Sequence, residues 1–151
     1  MSAPLGWADL QVGQAWRSGG RTLTETELSL FAMLTGDRHP IHVDAEYSRS
    51  ARFGQRLFHG TFGIAIAVAM ATELPQLREP VVAATGVDGW RFLAPLFIGD
   101  TVHVEVELTG LGVPQGGKVG VLERRIRLVK QDGAVAQQGT SGLMVTLAAA
   151  A

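Results

Sequence analysis

The sequence has no cysteine among its 151 residues. Disulfides and thiolate chemistry within the chain are therefore excluded. A surplus of positive charge is also missing: Lys plus Arg is 13, Asp plus Glu is 14, and the formal net charge is -1. Nucleic-acid binding draws on a basic footprint, so this balance predicts no nucleic-acid partner. Long apolar runs are absent too. The most apolar stretch, residues 61–71, is interrupted by Gly63 and falls well short of the roughly 20 residues that span a bilayer, so no membrane insertion is expected. Residues 1–9 lack the basic start and apolar run of an export signal, and a cytoplasmic location is the expectation. There is no glycine-rich dinucleotide fingerprint, phosphate loop or serine elbow. His103 and Glu105 share a strand face but have no third ligand at suitable spacing, so neither a metal nor a separate cofactor is expected.

What is present points to a packed protein. Hydrophobic residues make up 46% of the chain and charged residues 18%. The length suits a single domain over residues 1–151, with a frayed tail at 148–151. Two halves differ in periodicity. In the first, residues 13–22 read as an opening strand bent at Gly19-Gly20. Thr24 and Glu27 have capping-box spacing, Leu28, Phe31 and Ala32 form an apolar helical face, and Gly36 stops the helix. Residues 37–44 contain Pro40 and predict a rigid, non-helical loop, followed by a short helical turn over 45–52. Residues 61–71 are apolar on every side, which predicts a helix buried all round.

The second half reads as strands. These are Val81–Phe92, 101–111, Val119–Lys130 and 134–147, with turns at Gly116-Gly117 and Asp132-Gly133. In the second of them Val102, Val104, Val106 and Leu108 alternate with Thr101, His103, Glu105 and Glu107. Arg124 stands on the apolar face of Leu122, Ile126 and Leu128, where it needs a partner or a partly polar face. The pattern predicts an α+β fold in which an antiparallel sheet curls around one long helix. Alternation also predicts apolar side chains on the outer sheet face, to be covered by a second copy.

Candidate chemistry lies between Gly36 and Gly60. Asp37 follows a helix end, and His42 follows Pro40. A carboxylate and an imidazole converging on one cleft can hold a water and exchange a proton near neutrality. The same residues also suit a turn cap and a core histidine. Phe58-His59-Gly60-Thr61 then opens the apolar helix. Free N–H groups at a helix start favour negative charge, and Gly60 lets a ligand approach the backbone closely.

Residues 31–44, reading FAMLTGDRHPIHVD, closely resemble the signature of the MaoC-like, (R)-specific enoyl-CoA hydratases and dehydratases. Phe53-Gly54 with His59-Gly60, and the Pro95-x-x-x-Gly99-Asp100 turn, match the same pattern. The resemblance implies a hot-dog fold, a homodimer, and an acyl thioester of coenzyme A or acyl carrier protein as substrate. It implies Asp37 and His42 as catalytic residues, with the Gly60 N–H receiving the thioester oxygen. His39, Phe58, His59 and Thr61 are expected against the substrate. Three departures stand out: His39 replaces the usual asparagine, Phe58 a small residue, and no serine occurs from Thr61 to Thr72. Two other functions remain open at this stage, a thioesterase on the same architecture and a non-catalytic acyl-thioester-binding protein.

Overall fold

A computed structural model describes residues 6–74, 80–114 and 117–147. The tail at 148–151 and Gly116 of the expected turn lie outside the described residues. After a single 3-10 turn at Trp7–Asp9, two short strands, β1 (Ala15–Arg17) and β2 (Arg21–Thr22), flank the Gly19-Gly20 bend. Helix α1 (Glu25–Thr35) starts where the pattern predicts. Glu27 Oε2 accepts the Thr24 N–H at 2.8 Å, and the Thr24 hydroxyl accepts the Glu27 N–H at 3.4 Å. It ends on Gly36, whose φ of 75° lies in the left-handed region that glycine enters without a Cβ penalty.

Two short helical segments follow, α2 (Pro40–Val43) and α3 (Ala45–Ser50). The first corrects the sequence expectation, because His42 sits on a helical turn and not in a non-helical loop. Pro40 opens that turn, where its missing N–H costs nothing and its fixed φ already suits a helix. The long helix α4 (Gly60–Thr72) comes next.

Strands β3 (Val81–Phe92), β4 (Thr101–Gly112), β5 (Val119–Lys130) and β6 (Val135–Thr146) complete one antiparallel sheet. Its order is β1-β4-β5-β6-β3, and β2 also pairs with β4. Helix α4 lies against the concave side, touching β4, β5 and β6. Phe62, Ile66 and Met70 on the helix pack with Val102, Val104, Val106, Leu108, Leu122, Ile126, Leu128, Leu143 and Val145. This is the hot-dog arrangement of a helix wrapped by a sheet.

Three expectations about surfaces need revision or completion. Helix α4 is not buried all round: Thr61, Ala65, Ala69 and Thr72 are exposed, since one sheet covers only one side of a helix. The middle of the outer sheet face is polar. There Glu105 pairs with Arg127 at 2.6 Å and Glu107 with Arg125 at 2.9 Å, each across a register pair of β4 and β5. Opposite charges facing each other suit a wetted sheet face and remove the need for an apolar cover there. Arg124 does have a partner. It is fully buried, donates to the Ser141 hydroxyl at 3.3 Å, and has its pKa pushed down to about 10 by burial.

The Pro95-to-Asp100 turn fixes how the chain enters β4. Gly99 takes a φ of 90°. Asp100 then accepts the Phe97 N–H at 2.8 Å and a Gln131 amide N–H at 2.9 Å, and pairs with Lys130 at 2.9 Å. Burial alone pushes the Asp100 carboxyl pKa up, but the Gln131, Lys130 and Phe97 hydrogen bonds outweigh that and hold it below the ordinary value. The turn also carries Leu96, whose carbonyl accepts the Phe58 N–H at 2.9 Å and so docks the approach to α4.

Candidate active site

The site is assembled from chain ends and turns. Helix α1 delivers Asp37 just beyond Gly36. Helix α2 delivers His42, and the entry to α4 delivers His59 and Gly60. Potential ligand atoms of Asp37, His42 and His59 all lie within 4.8 Å of one another. The structure thus brings Asp37 and His42 together, as the sequence expectation required, and adds His59 directly behind them.

Each imidazole is oriented by a backbone carbonyl. His42 Nδ1 lies 2.7 Å from the Leu57 carbonyl oxygen. A carbonyl only accepts, so Nδ1 carries the proton and Nε2 is left as the basic nitrogen of the neutral ring. His59 Nε2 lies 2.9 Å from the Asp37 carbonyl oxygen and donates to it by the same logic. The two rings stack with centroids 3.7 Å apart and planes 23° from parallel. Phe31 also packs against His59, with centroids 5.2 Å apart and planes tilted by 56°. Burial pushes the His42 pKa below its ordinary value. The neighbouring His59 and His39 add to this, while the Leu57 hydrogen bond and the Asp37 carboxylate oppose it. His42 is therefore a neutral base near neutral pH.

The same stacking bears on metal binding. His42 Nδ1 and His59 Nε2 are taken by carbonyls, leaving His42 Nε2 and His59 Nδ1. Lone pairs of nearly parallel rings run side by side and do not converge on one ion at the ~2.0–2.1 Å expected for zinc. The donor set suits proton transfer better than metal ligation.

Asp37 is the open member of the group. Its side chain is 54% exposed, so a water or substrate can reach its carboxylate. Oδ1 accepts the His39 N–H at 3.2 Å, and Oδ2 stands 3.8 Å from His59 Nε2. His39 in turn caps α2, its Nδ1 accepting the Ile41 N–H at 3.2 Å. This satisfies loop backbone as an asparagine would, which accounts for the departure at that position. The His39 ring is exposed and lies 6.4 Å from the His42 ring, centroid to centroid.

Gly60 begins α4 beside these groups. Among the described residues its N–H has no hydrogen-bond partner, as expected in the first turn of a helix. A Cβ on Gly60 would come within 2.9 Å of the tip of the Phe92 ring, so a side chain there requires that exposed ring to move. A cleft of about 320 Å³ opens here, lined by Phe53, Leu57, Phe58, Phe92, Pro95 and Gln137 among others. Phe58 contributes to that lining while stacking on Phe62, with centroids 4.5 Å apart. His59 is buried, and Thr61 is exposed on the first turn of α4. Leu57 links the two parts of the site, because its carbonyl orients His42 and its side chain lines the cleft.

A family model described as "MaoC like domain" matches residues 9–129, most of the chain. The chain belongs to the MaoC-like hydratase and dehydratase family. It is 35% identical to the (R)-specific enoyl-CoA hydratase of Rhodospirillum rubrum over 108 residues, covering 71% of each protein. It is 34% identical to Protein MaoC of Klebsiella aerogenes over 98 residues, 65% of this chain but only 29% of that longer protein. The X-ray structure of a monoamine oxidase regulatory protein from Archaeoglobus fulgius superposes with a TM-score of 0.85, at 28% identity and 98% coverage of both chains. The sheet-wrapped helix of this chain begins at the histidine–glycine pair His59-Gly60.

Sequence reasoning missed Gln137, Trp90 and the stacking of His42 on His59. Gln137 is one polar residue in an alternating strand, with no motif around it. The histidine stack depends on how α2 meets α4, which no local pattern records.

Proposed function

We propose that this chain is a hydro-lyase that adds water to a trans-2-enoyl thioester to give a 3-hydroxyacyl thioester, and that runs in reverse as a dehydratase. One observation carries the reading: His42, whose basic nitrogen is Nε2, and the accessible Asp37 carboxylate cluster with His59 within 4.8 Å, and Gly60, whose N–H has no partner among the described residues, follows directly on His59. The R. rubrum relative is an (R)-specific enoyl-CoA hydratase, which supports coenzyme A as the carrier.

In this reading Asp37 and His42 hold one water against the β-carbon. The pair takes a proton from that water as its oxygen bonds to the β-carbon. The π electrons move toward the thioester, and a proton is returned to the α-carbon, so water is added without net gain or loss of charge. Negative charge builds on the thioester oxygen in the transition state, where the Gly60 N–H and the start of α4 meet it. His39, Phe58 and Thr61 form the rest of the substrate-facing wall, while His59, expected there from sequence, is buried and braces His42 from behind. No separate cofactor enters the reaction.

The same reading takes residues 1–151 as one domain acting in the cytoplasm as a homodimer. Supporting the last point, edge strand β3 exposes Val81, Val82, Val87 and Phe92, and α4 leaves its alanine face open. No helix among the described residues is long and apolar enough to cross a membrane. Light scattering on the purified chain reports the oligomer directly.

The activity test uses crotonyl-CoA and a panel of longer and branched enoyl-CoA substrates. The enone absorbance falls with the native protein and persists with Asp37→Asn or His42→Ala. Release of free thiol in place of hydration overturns this reading in favour of a thioesterase.

A further inference from the structure

Gly60 presents a physical problem. It has no side chain to hold it, and glycine peptides rotate more freely than others. An N–H that must meet a developing charge needs a fixed orientation, since preorganisation is what makes such donors effective. The backbone of α4 supplies part of that restraint. The rest comes from the sheet.

Gln137 on β6 is 97% buried, with only 3% of its surface exposed. Its Nε2 donates to the Gly60 carbonyl at 3.1 Å. Its Oε1 accepts the Trp90 Nε1–H at 2.9 Å, which fixes the amide in one orientation. Two other glycines make room for this chain of contacts. A Cβ on Gly63, one turn along α4, would lie 2.1 Å from Gln137 Nε2, so the amide occupies the space a side chain would take. A Cβ on Gly139 would lie 2.4 Å from the Trp90 ring. Trp90 itself falls within the register shift between Asp88 and Arg91, beside Gly89 with φ of 59°. A bulge of this kind re-aims a side chain. Gln137 thus reaches the Gly60 carbonyl, with Trp90 orienting it and Gly63 and Gly139 leaving it space.

We propose that Gln137, held by Trp90, is a positioning residue that locks the Gly60–Thr61 peptide and so keeps the first N–H groups of α4 aimed at the thioester oxygen. The hydrogen bond fixes the Gly60–Thr61 peptide, the unit that carries the Gly60 carbonyl and the Thr61 N–H, and polarises it so that Thr61 N–H is a stronger donor. The Gly60 N–H belongs to the preceding peptide and is restrained through the Gly60 backbone angles. The proposal rests on Gly60 being the thioester-oxygen donor.

The test reads the substrate carbonyl itself, because a folding defect lowers turnover without changing the spectrum of bound substrate. Crotonyl-CoA labelled with ¹³C at the carbonyl is bound to Asp37→Asn, which holds it unreacted, and the carbonyl stretch is recorded by difference infrared spectroscopy at saturation. Asp37→Asn shows a band shifted to lower frequency than in water, and Asp37→Asn/Gln137→Leu loses most of that shift while still binding. Gln137→Met, which is close in volume and cannot donate to Gly60, serves where the leucine variant does not fold and behaves alike. Loss of a whole oxyanion donor costs about 10²–10³ in kcat, and loss of this support, with Asp37 intact, is expected to cost roughly tenfold with KM little changed. Trp90→Phe gives a smaller effect of the same kind. A full shift retained in the Gln137 variants overturns the positioning role alone. Absence of any shift in Asp37→Asn overturns the Gly60 reading, and this proposal with it.

Discussion

Two places in this protein put a histidine beside a carboxylate, and they are built to opposite ends. At the first, His42 is oriented by the Leu57 carbonyl, its Nε2 is unspent, and Asp37 is over half exposed. At the second, His103 lies on β4 with Nε2 3.8 Å from Glu105 and Nδ1 3.4 Å from the Arg17 guanidinium. Glu105 is already paired with Arg127 at 2.6 Å. The residue types match, yet only the first pair has an accessible carboxylate that no arginine among the described residues holds and a helix N-terminus next to it. His103 Nε2 also lacks a hydrogen-bond partner among the described residues, but it is buried and its carboxylate is taken by Arg127.

The largest expected contrast is in turnover. General acid–base groups contribute about 10²–10⁴ in rate, so Asp37→Asn or His42→Ala should lower kcat on a responsive enoyl-CoA by roughly 10³. His103→Gln should change it less than about twofold. Steady-state rates on the three variants decide this, and a comparable loss at His103 would collapse the distinction.

The next contrast concerns the amide that only the first cluster has nearby. Gly60→Ala places a methyl against the Phe92 ring, at the peptide proposed to meet the thioester oxygen. A drop in kcat of about 10²-fold is expected, up to the value of one oxyanion donor. Gly112→Ala, on β4 with nothing within 4 Å of the added methyl, is the control and should be near neutral.

Titration sharpens the comparison with a smaller effect. Both histidines have pKa values below the ordinary 6.5, each chiefly through burial. Their neighbours act in opposite directions. The Asp37 carboxylate raises the His42 value, so Asp37→Asn should lower it further. Arg17 lowers the His103 value, so Arg17→Met should raise it. NMR titration of the ring protons measures both, and shifts of the reverse sign would undo the assignments. For the native protein, the acid limb of kcat/KM should have its midpoint below 6.5.

The smallest effect is on stability. Both histidines are held neutral in the folded chain, so as pH falls past 6.5 the unfolded chain takes up protons first. Stability is present in full above that value and declines as pH drops through the lower folded-state pKa values. His103→Gln should flatten this decline between pH 6.5 and the acid limit, and denaturant melts across that range would show it.

Much of the fold was readable along the chain because it depends on local rules. The Thr24–Glu27 box and the left-handed Gly36 bound α1 where the spacing predicts. The alternation of Val102, Val104, Val106 and Leu108 correctly placed the core face of β4. Legibility stopped where a residue's surroundings come from elsewhere. Pro40 forbids a helix interior but permits a helix start, and the sequence alone favoured the wrong reading. The apolar character of α4 did not reveal which side the sheet would leave open. Outward-facing strand positions could not show that Glu105 and Glu107 would meet arginines from β5.

The sequence by itself determined the capped helices, the strand alternation, and the presence of a carboxylate, an imidazole and a glycine within one motif-bearing segment. Those follow from dihedral preference and periodicity, which act over a few residues. Only the tertiary structure decided that His42 Nε2 is the free base, that His59 stacks behind it, and that Gln137 reaches across from β6 to hold Gly60. Each of these depends on carbonyls and amides brought together from distant positions, and their hydrogen bonds exist only once the sheet has closed around the helix.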